Sequence, residues 1–599
     1  MGEVLERAGR CSPAWARGWP LGRILATVVA VVLVVVLAVS CSGGASGTVN
    51  VPVQGGGTDA GVTGVRAPST QAGGTLRVVA ASIDSLDPQR SYQPGVWNLM
   101  RLYVRTLVTY SPKPEHTGEL VPDLATDLGT TPDGGTTWTF TLKDGVTFES
   151  GRPITSRDVK YGIERSFASD VVVGGPTYVV DLLDDRGNPY AGPYQDQTPG
   201  KLGLGAIETP DDRTITFHLR TPQPDFPYVM ALPSSSPVPI EADKGTDYGS
   251  HPVSSGPYAV TSVDPRTGIV LDRNPQWIPA TDDVRTALPE QVVVRTGLSG
   301  VERDQALLAG SADVDISGSG VQPATTARLG EASAGDIPLS ERVDDVTTGA
   351  VRMLALPTNV APFDNPDCRT AVADTVDRRT LQGVLGGAGD AVRSSRLWPR
   401  GLPGGPEETD PRPDLGAARA ALQKCGQPDG FSTVLAVPDV PTSVSLAGAL
   451  ADQLGAVGIR AEVRPLATTS FYATDVGKPD NVVASGYGIV LATWTADFPT
   501  PGSFLVPLVD GRSVRPVGNT NYAHLADQGV NTLIDTARQA ADPAAARKAW
   551  TDVAKAAGET AAYLPLAETR VQLVAGQRLR NGVVMLPYSG HDLASAGVR

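Results

Sequence analysis

Bond-making chemistry needs a nucleophile, a base and a group that stabilises developing charge, and the chain carries none of the local patterns that assemble them. There is no GxSxG elbow, no GxxxxGK[ST] phosphate loop and no GxGxxG fingerprint, and the glycine-rich GVLGGAG starting at Gly383 has no lysine for phosphate. His116, His218, His251, His524 and His591 are scattered, with no Cys or His at zinc-site or HExxH spacing, so neither a metal nor a cofactor is expected. The acidic pairs Asp184-Asp185, Asp282-Asp283 and Asp344-Asp345 fit hydrolase carboxylates less well than solvated turns. What remains is recognition without reaction. WTADFPTPGSFL sets a carboxylate, Asp497, and a rigid aromatic surface, Trp494, beside two prolines. The alternatives are a turn aspartate ahead of Pro499 and a core tryptophan.

Further candidates stand at element ends rather than inside apolar stripes: Tyr92, Trp97, Tyr487 and Trp398 as contact aromatics, and Ser255-Gly256 as a place where backbone and solute approach closely. For the aromatics the competing assignment is a buried structural ring; for Ser255 and Gly256 it is a plain turn.

These residues need a scaffold, and 599 residues exceed what one hydrophobic core can serve, so two or three lobes are expected. Composition is ordinary globular, with 41% hydrophobic and 19% charged residues, and 50 prolines beside 66 glycines imply many turns. The net charge of -14, with no Lys/Arg cluster, argues against a nucleic-acid partner, because phosphate binding requires concentrated cations.

The N-terminus has the pattern of an export signal over residues 1–40: Arg7, Arg10, Arg17 and Arg23 precede an apolar run from Ile24 to Val39 that only Thr27 interrupts. The run is shorter than the roughly 20 residues a membrane-spanning helix needs. It ends in Ala38-Val39-Ser40-Cys41, which resembles a bacterial lipobox; that resemblance implies cleavage before Cys41 and a diacylglycerol on its thiol. Residues 41–73, poor in large apolar side chains, read as a flexible tether. Export places the folded part in an oxidising compartment with two cysteines, Cys368 and Cys425, which form either one disulfide or two unrelated buried thiols.

Beyond the tether, strand and helix signals alternate, an α/β pattern without internal repeats. Thr75 to Ala80 reads as a strand and Val96 to Tyr110 as a helix. TTWTFTLKDGVTF reads as a hairpin about Asp144-Gly145, and Thr155 with Asp158 as the capping box of a helix carrying Val159, Ile163 and Phe167. Hairpins are expected where Thr214 to Leu219 follows Pro210-Asp211-Asp212 and in SGPYAVTSVDPRTGIVLDRNP. Helices are expected over Arg369 to Leu385, over Ala417 to Cys425 and from the N-cap Asp542, and a strand over Ser432 to Val437.

Taken together, LVPDLATDL, TWTFTLKDGVTFESGRPITSRDVKYGIERSF, HPVSSGPYAV with RNPQW, DNPDCRTAVADTVDRRTL, WTADFPTPGSFL and NYAHLADQGVNTLIDTARQAADPAAARKAW resemble, in order, the family 5 bacterial extracellular solute-binding proteins of the oligopeptide- and dipeptide-binding type. Ser254-Ser255 replaces the family's usual Gly-Thr, and Cys368 departs from its pattern. The resemblance implies a periplasmic-binding-protein-like fold of type II, cluster C: two hinged lobes with a small extra domain. The implied division is lobe I over 74–112, 233–352 and 571–599, the extra domain over 113–232 and lobe II over 353–570, with crossings near 353–359 and 566–574. It implies a monomer outside the cell membrane that encloses an oligopeptide between its lobes, with Asp497 meeting the ligand's amine, and delivers it to an ABC permease without catalysis. A metal chelate, haem or a sugar oligomer as solute, or a surface lipoprotein without transport, are the alternatives.

Overall fold

The computed structural model describes residues 54–55, 58–183, 189–264, 268–329, 337–402, 404–540 and 542–599. The export segment and Cys41 lie outside them. From Thr58 onward the expected tether is folded instead. Gln54–Gly55 pairs with Val65–Arg66, and Arg66 reaches Asp344 at 2.7 Å, both side chains buried. Backbone amides and the Arg66–Asp344 ion pair help hold this segment, supplying by hydrogen bonding the order that its small side chains cannot supply by burial.

Two mixed sheets organise the body. The first is five-stranded, in the order Val314–Asp315, Thr75–Val79, Gln291–Arg295, Gly268–Arg273, Tyr258–Asp264. The second is six-stranded, in the order Ala391–Arg393, Tyr563–Val574, Val343–Ala355, Ile489–Trp494, Ser432–Pro438, Arg460–Leu466. Side-chain alternation divides the second sheet's apolar residues between two faces. Val351, Met353, Ala355, Val490 and Ala492 enter one core, and Leu354, Ile489, Leu491, Leu564 and Leu566 the other. Covered on both faces, such strands read as continuous apolar runs rather than as alternation.

Strands Val343–Ala355 and Tyr563–Val574 form a long antiparallel ribbon whose register shifts between Thr347 and Val351. Val343 and Val574 pack with Val79 of the first sheet, while Met353 and Leu564 belong to the second sheet's cores. The ribbon therefore runs from the first lobe's core to the second's. A third, three-stranded sheet, Thr137–Thr141, Thr214–His218, Ile207–Glu208, lies in the extra segment, and its apolar residues continue unbroken into the first lobe's core.

Three expected elements differ. The helix begun at Pro94–Met100 stops well before Tyr110, and Val108–Tyr110 is a strand paired with Leu120–Pro122. The Leu107 carbonyl accepts from Asp123 and Ala125, so tertiary partners replace the helical ones. Thr137–Thr141 pairs not with the segment after Asp144-Gly145 but with Thr214–His218, because Phe140 needs the edge-on ring of Phe217 to complete its face. The helix expected over Arg369 to Leu385 is two, Pro366–Thr375 and Arg378–Val384, broken where Asp377 turns to cap the second. The sulfurs of Cys368 and Cys425 are bonded, with Cα atoms 5.4 Å apart, joining helix Pro366–Thr375 to the end of helix Leu415–Lys424.

Candidate functional site: the cleft around Asp497

Strand Ile489–Trp494 delivers the chain to the edge of the second lobe, and the two prolines of the following residues forbid its continuation as a strand or helix interior. The loop that results is held locally. Ser503 donates from its hydroxyl to the Phe498 carbonyl at 2.5 Å, Thr500 donates its amide to the same carbonyl at 2.7 Å, and Thr500 caps helix Pro501–Val509. Asp497 is thereby placed in the wall of a cavity of about 810 Å³, with Ser82, Pro94 and Ile316 from the first lobe, and Arg352 and Leu586. A cavity of this size encloses a small solute.

Two tyrosines reach Asp497. Tyr92 donates to Oδ2 at 2.7 Å, and Tyr178, the first residue of helix Tyr178–Leu183, donates to the same oxygen. Oδ1 has no partner among the described residues. Burial pushes the Asp497 carboxyl above its ordinary value, and the hydrogen bonds from Tyr178 and Tyr92 pull it part of the way back. Tyr92 is itself positioned: its amide donates to Asp84 at 2.6 Å, and its ring packs against Trp97 with centroids 5.6 Å apart. The residue is 44% exposed, while its hydroxyl turns to Asp497. The next residue in the loop, Phe498, is buried in the first lobe's core, stacked on Tyr228 at 5.9 Å and edge-on to Tyr178 at 5.4 Å. An ion pair from Arg515 to Asp181, 3.0 Å, bridges the same two sides.

Of the residues singled out from sequence, Asp497 and Tyr92 come together. Asp497 is in the cavity wall; Tyr92 reaches it from outside that wall, and the others do not line the cavity. Trp97 is buried beneath Tyr92 and donates to the Ser91 carbonyl at 3.0 Å, so it supports the site from behind. Trp494 donates to the Phe504 carbonyl at 3.0 Å and packs on the second lobe's core. Trp398 is fully buried, donating to the Leu402 carbonyl at 3.2 Å. Tyr487 is buried where strand Ile489–Trp494 begins; six residues of strand, about 20 Å, separate it from the end that carries Asp497. Ser255 accepts the Arg105 amide at 2.8 Å, and a Cβ on Gly256 would meet the Leu102 carbonyl at 2.7 Å. The close backbone approach there is to the protein's own chain, and both residues are buried.

Sequence reasoning missed Tyr178, Phe498 and Arg352. Only Arg352 left a signal: a charged residue between Val351 and Met353, in a strand otherwise apolar at that end.

Residues 119–515 match the profile of the bacterial extracellular solute-binding proteins, family 5 Middle. Among characterised relatives, the glutathione-binding protein GsiB of Salmonella typhi is 22% identical over 490 residues, covering 78% of this chain and 85% of that protein. The probable D,D-dipeptide-binding periplasmic protein DdpA of Escherichia coli K12 is 23% identical over 514 residues, 84% of this chain and 90% of that one. Among solved structures, clavulanic acid biosynthesis oligopeptide binding protein 2 superposes with a TM-score of 0.86 at 39% identity, covering 91% of this chain and 99% of that one. DppA of Helicobacter pylori, in complex with the peptide STSA, gives 0.65 at 19% identity, over 87% and 98% of the two chains. With the family profile matched across about two thirds of its length, the chain belongs to family 5 of the bacterial extracellular solute-binding proteins.

Proposed function

We propose that this chain captures oligopeptides outside the cell membrane by closing its lobes over them and passes them unaltered to an ABC permease. Cys41 carries the lipid that keeps the body near its partner, and the chain acts as a monomer and not as an enzyme. The observation that supports peptide capture best is the carboxylate of Asp497 in the cavity wall: both tyrosine hydroxyls fall on Oδ2, which leaves Oδ1 available as the counter-ion of an ammonium. Relatives described as binding glutathione, D,D-dipeptides and oligopeptides agree with that chemistry. Closure about the two-stranded ribbon converts occupancy into a shape that a membrane partner can recognise.

The test is thermal melting of the purified chain with free-amine peptide pools, the same pools N-acetylated, sugar oligomers and metal chelates. Stabilisation is expected from the free-amine peptides. Stabilisation by sugars or chelates alone overturns the reading. Mass spectrometry of the mature N-terminus tests the anchor: a diacylated Cys41 is expected, and an unmodified thiol there rejects it.

A further inference from the structure

The cavity wall holds two charged side chains among the described residues, Asp497 and Arg352. Arg352 lies on strand Val343–Ala355, opposite Thr493 on one neighbour and Ala567 on the other. Val351 and Met353, on either side of it, are fully buried in the second lobe's core, so alternation sends Arg352 to the opposite face. Leu354 on that face is already under apolar cover, whereas Arg352, one step nearer the first lobe, borders the cavity.

The ribbon's other arginine has a carboxylate partner, Arg570 meeting Asp345 at 3.0 Å, and Arg66 of strand Val65–Arg66 meets the ribbon's Asp344 at 2.7 Å. Arg352 has neither an ion pair nor a side-chain hydrogen bond among the described residues. Across from it the Tyr472 hydroxyl accepts the Thr493 amide at 3.0 Å, a neutral neighbour and not a counter-ion. Burial disfavours the charged guanidinium and pulls its pKa down. A half-buried cation without an anion is costly to fold around, and a planar, two-pronged donor facing a cavity suits a carboxylate.

We propose that Arg352 reads a carboxylate of the bound solute, so that the cleft selects a short peptide bearing a free ammonium for Asp497 and a free carboxylate for Arg352. This rests on the peptide reading for its ligand class, while the role of the guanidinium stands on its own geometry.

The experiment measures affinities of the full chain, wild type and variants, for a di- to pentapeptide pool as free acids, for the same pool as C-terminal amides, for the same pool N-acetylated, and for succinate. Wild type is expected to favour acids over amides by about tenfold or more. Arg352→Gln is expected to bind acids and amides alike while still rejecting the N-acetylated pool. Arg352→Lys, a point charge without the fork, is expected to keep part of the preference. Equal wild-type affinity for acids and amides, or an undiminished preference in Arg352→Gln, overturns the proposal and leaves peptide capture intact. If no peptide binds but succinate binds wild type and not Arg352→Gln, the carboxylate reading survives and the peptide reading falls. If wild type binds neither, both fall.

Discussion

The hydroxyl of Tyr92 lies 2.7 Å from Oδ2 of Asp497, so two residues 405 positions apart meet where the lobes face each other. With Tyr178 on the same oxygen, the carboxylate keeps part of the hydrogen bonding it loses from water, and its other oxygen remains for a cation. Phe498, anchored in the first lobe's core, ties the position of that carboxylate to the contact between lobes.

Asp497→Asn is expected to weaken free-amine peptide binding by about 2 to 5 kcal/mol, because a buried ammonium would lose its counter-ion. N-acetylated peptides, measured by the same calorimetric titration, should show no such loss. An unchanged affinity for the free-amine pool removes Asp497 from the site.

Phe498→Ala deletes a buried ring, a change that typically costs about 3 to 5 kcal/mol. Since that ring from one lobe is seated in the core of the other, the loss falls on the closed form. Small-angle scattering of the ligand-free chain should show a larger radius of gyration than wild type; identical curves would show that Phe498 does not hold the lobes together.

The pH dependence follows from the direction of the Asp497 shift. A carboxyl raised above its ordinary 3.8 holds its proton longer in the closed, ligand-free form, so that form is favoured at low pH and loses ground as pH rises toward the raised value. Ammonium binding needs the ionised form. Peptide affinity should therefore climb with pH, starting from about pH 4, and then level off. The same titration of Asp497→Asn should be flat, and a slope equal to that of wild type would assign the dependence elsewhere.

The bond between Cys368 and Cys425 closes a loop of sequence separation 57, for which the chain-entropy estimate is about 4 kcal/mol. Replacing both cysteines with alanine should lower the melting temperature, with peptide affinity retained because neither residue borders the cavity. Mass spectrometry of unreduced digests should recover the linked pair; two alkylatable thiols would reject it.

What the sequence determined by itself was local. The Thr155–Asp158 capping box and the N-cap Asp542 act within a few residues of chain, and both are present. The hairpin Tyr258–Asp264 with Gly268–Arg273 likewise follows from alternation on either side of a turn. The ordered run of motifs carried the family, and Asp497 in WTADFPTPGSFL borders the cavity and meets Tyr92. Only the tertiary structure decided which aromatics serve the cleft and which serve the core, since a tryptophan at an element end has the same local pattern in either case: Trp398 and Trp97 are buried, and Tyr487 sits a strand's length from Asp497. Pairing across long separations was equally out of reach. Thr137–Thr141 takes its partner more than seventy residues on, and Asp497 takes its hydroxyl partners from the other lobe. Hydrogen-bond partners and missing counter-ions are properties of juxtaposition, so the unpaired charge of Arg352 became visible only once the strands around it were in place.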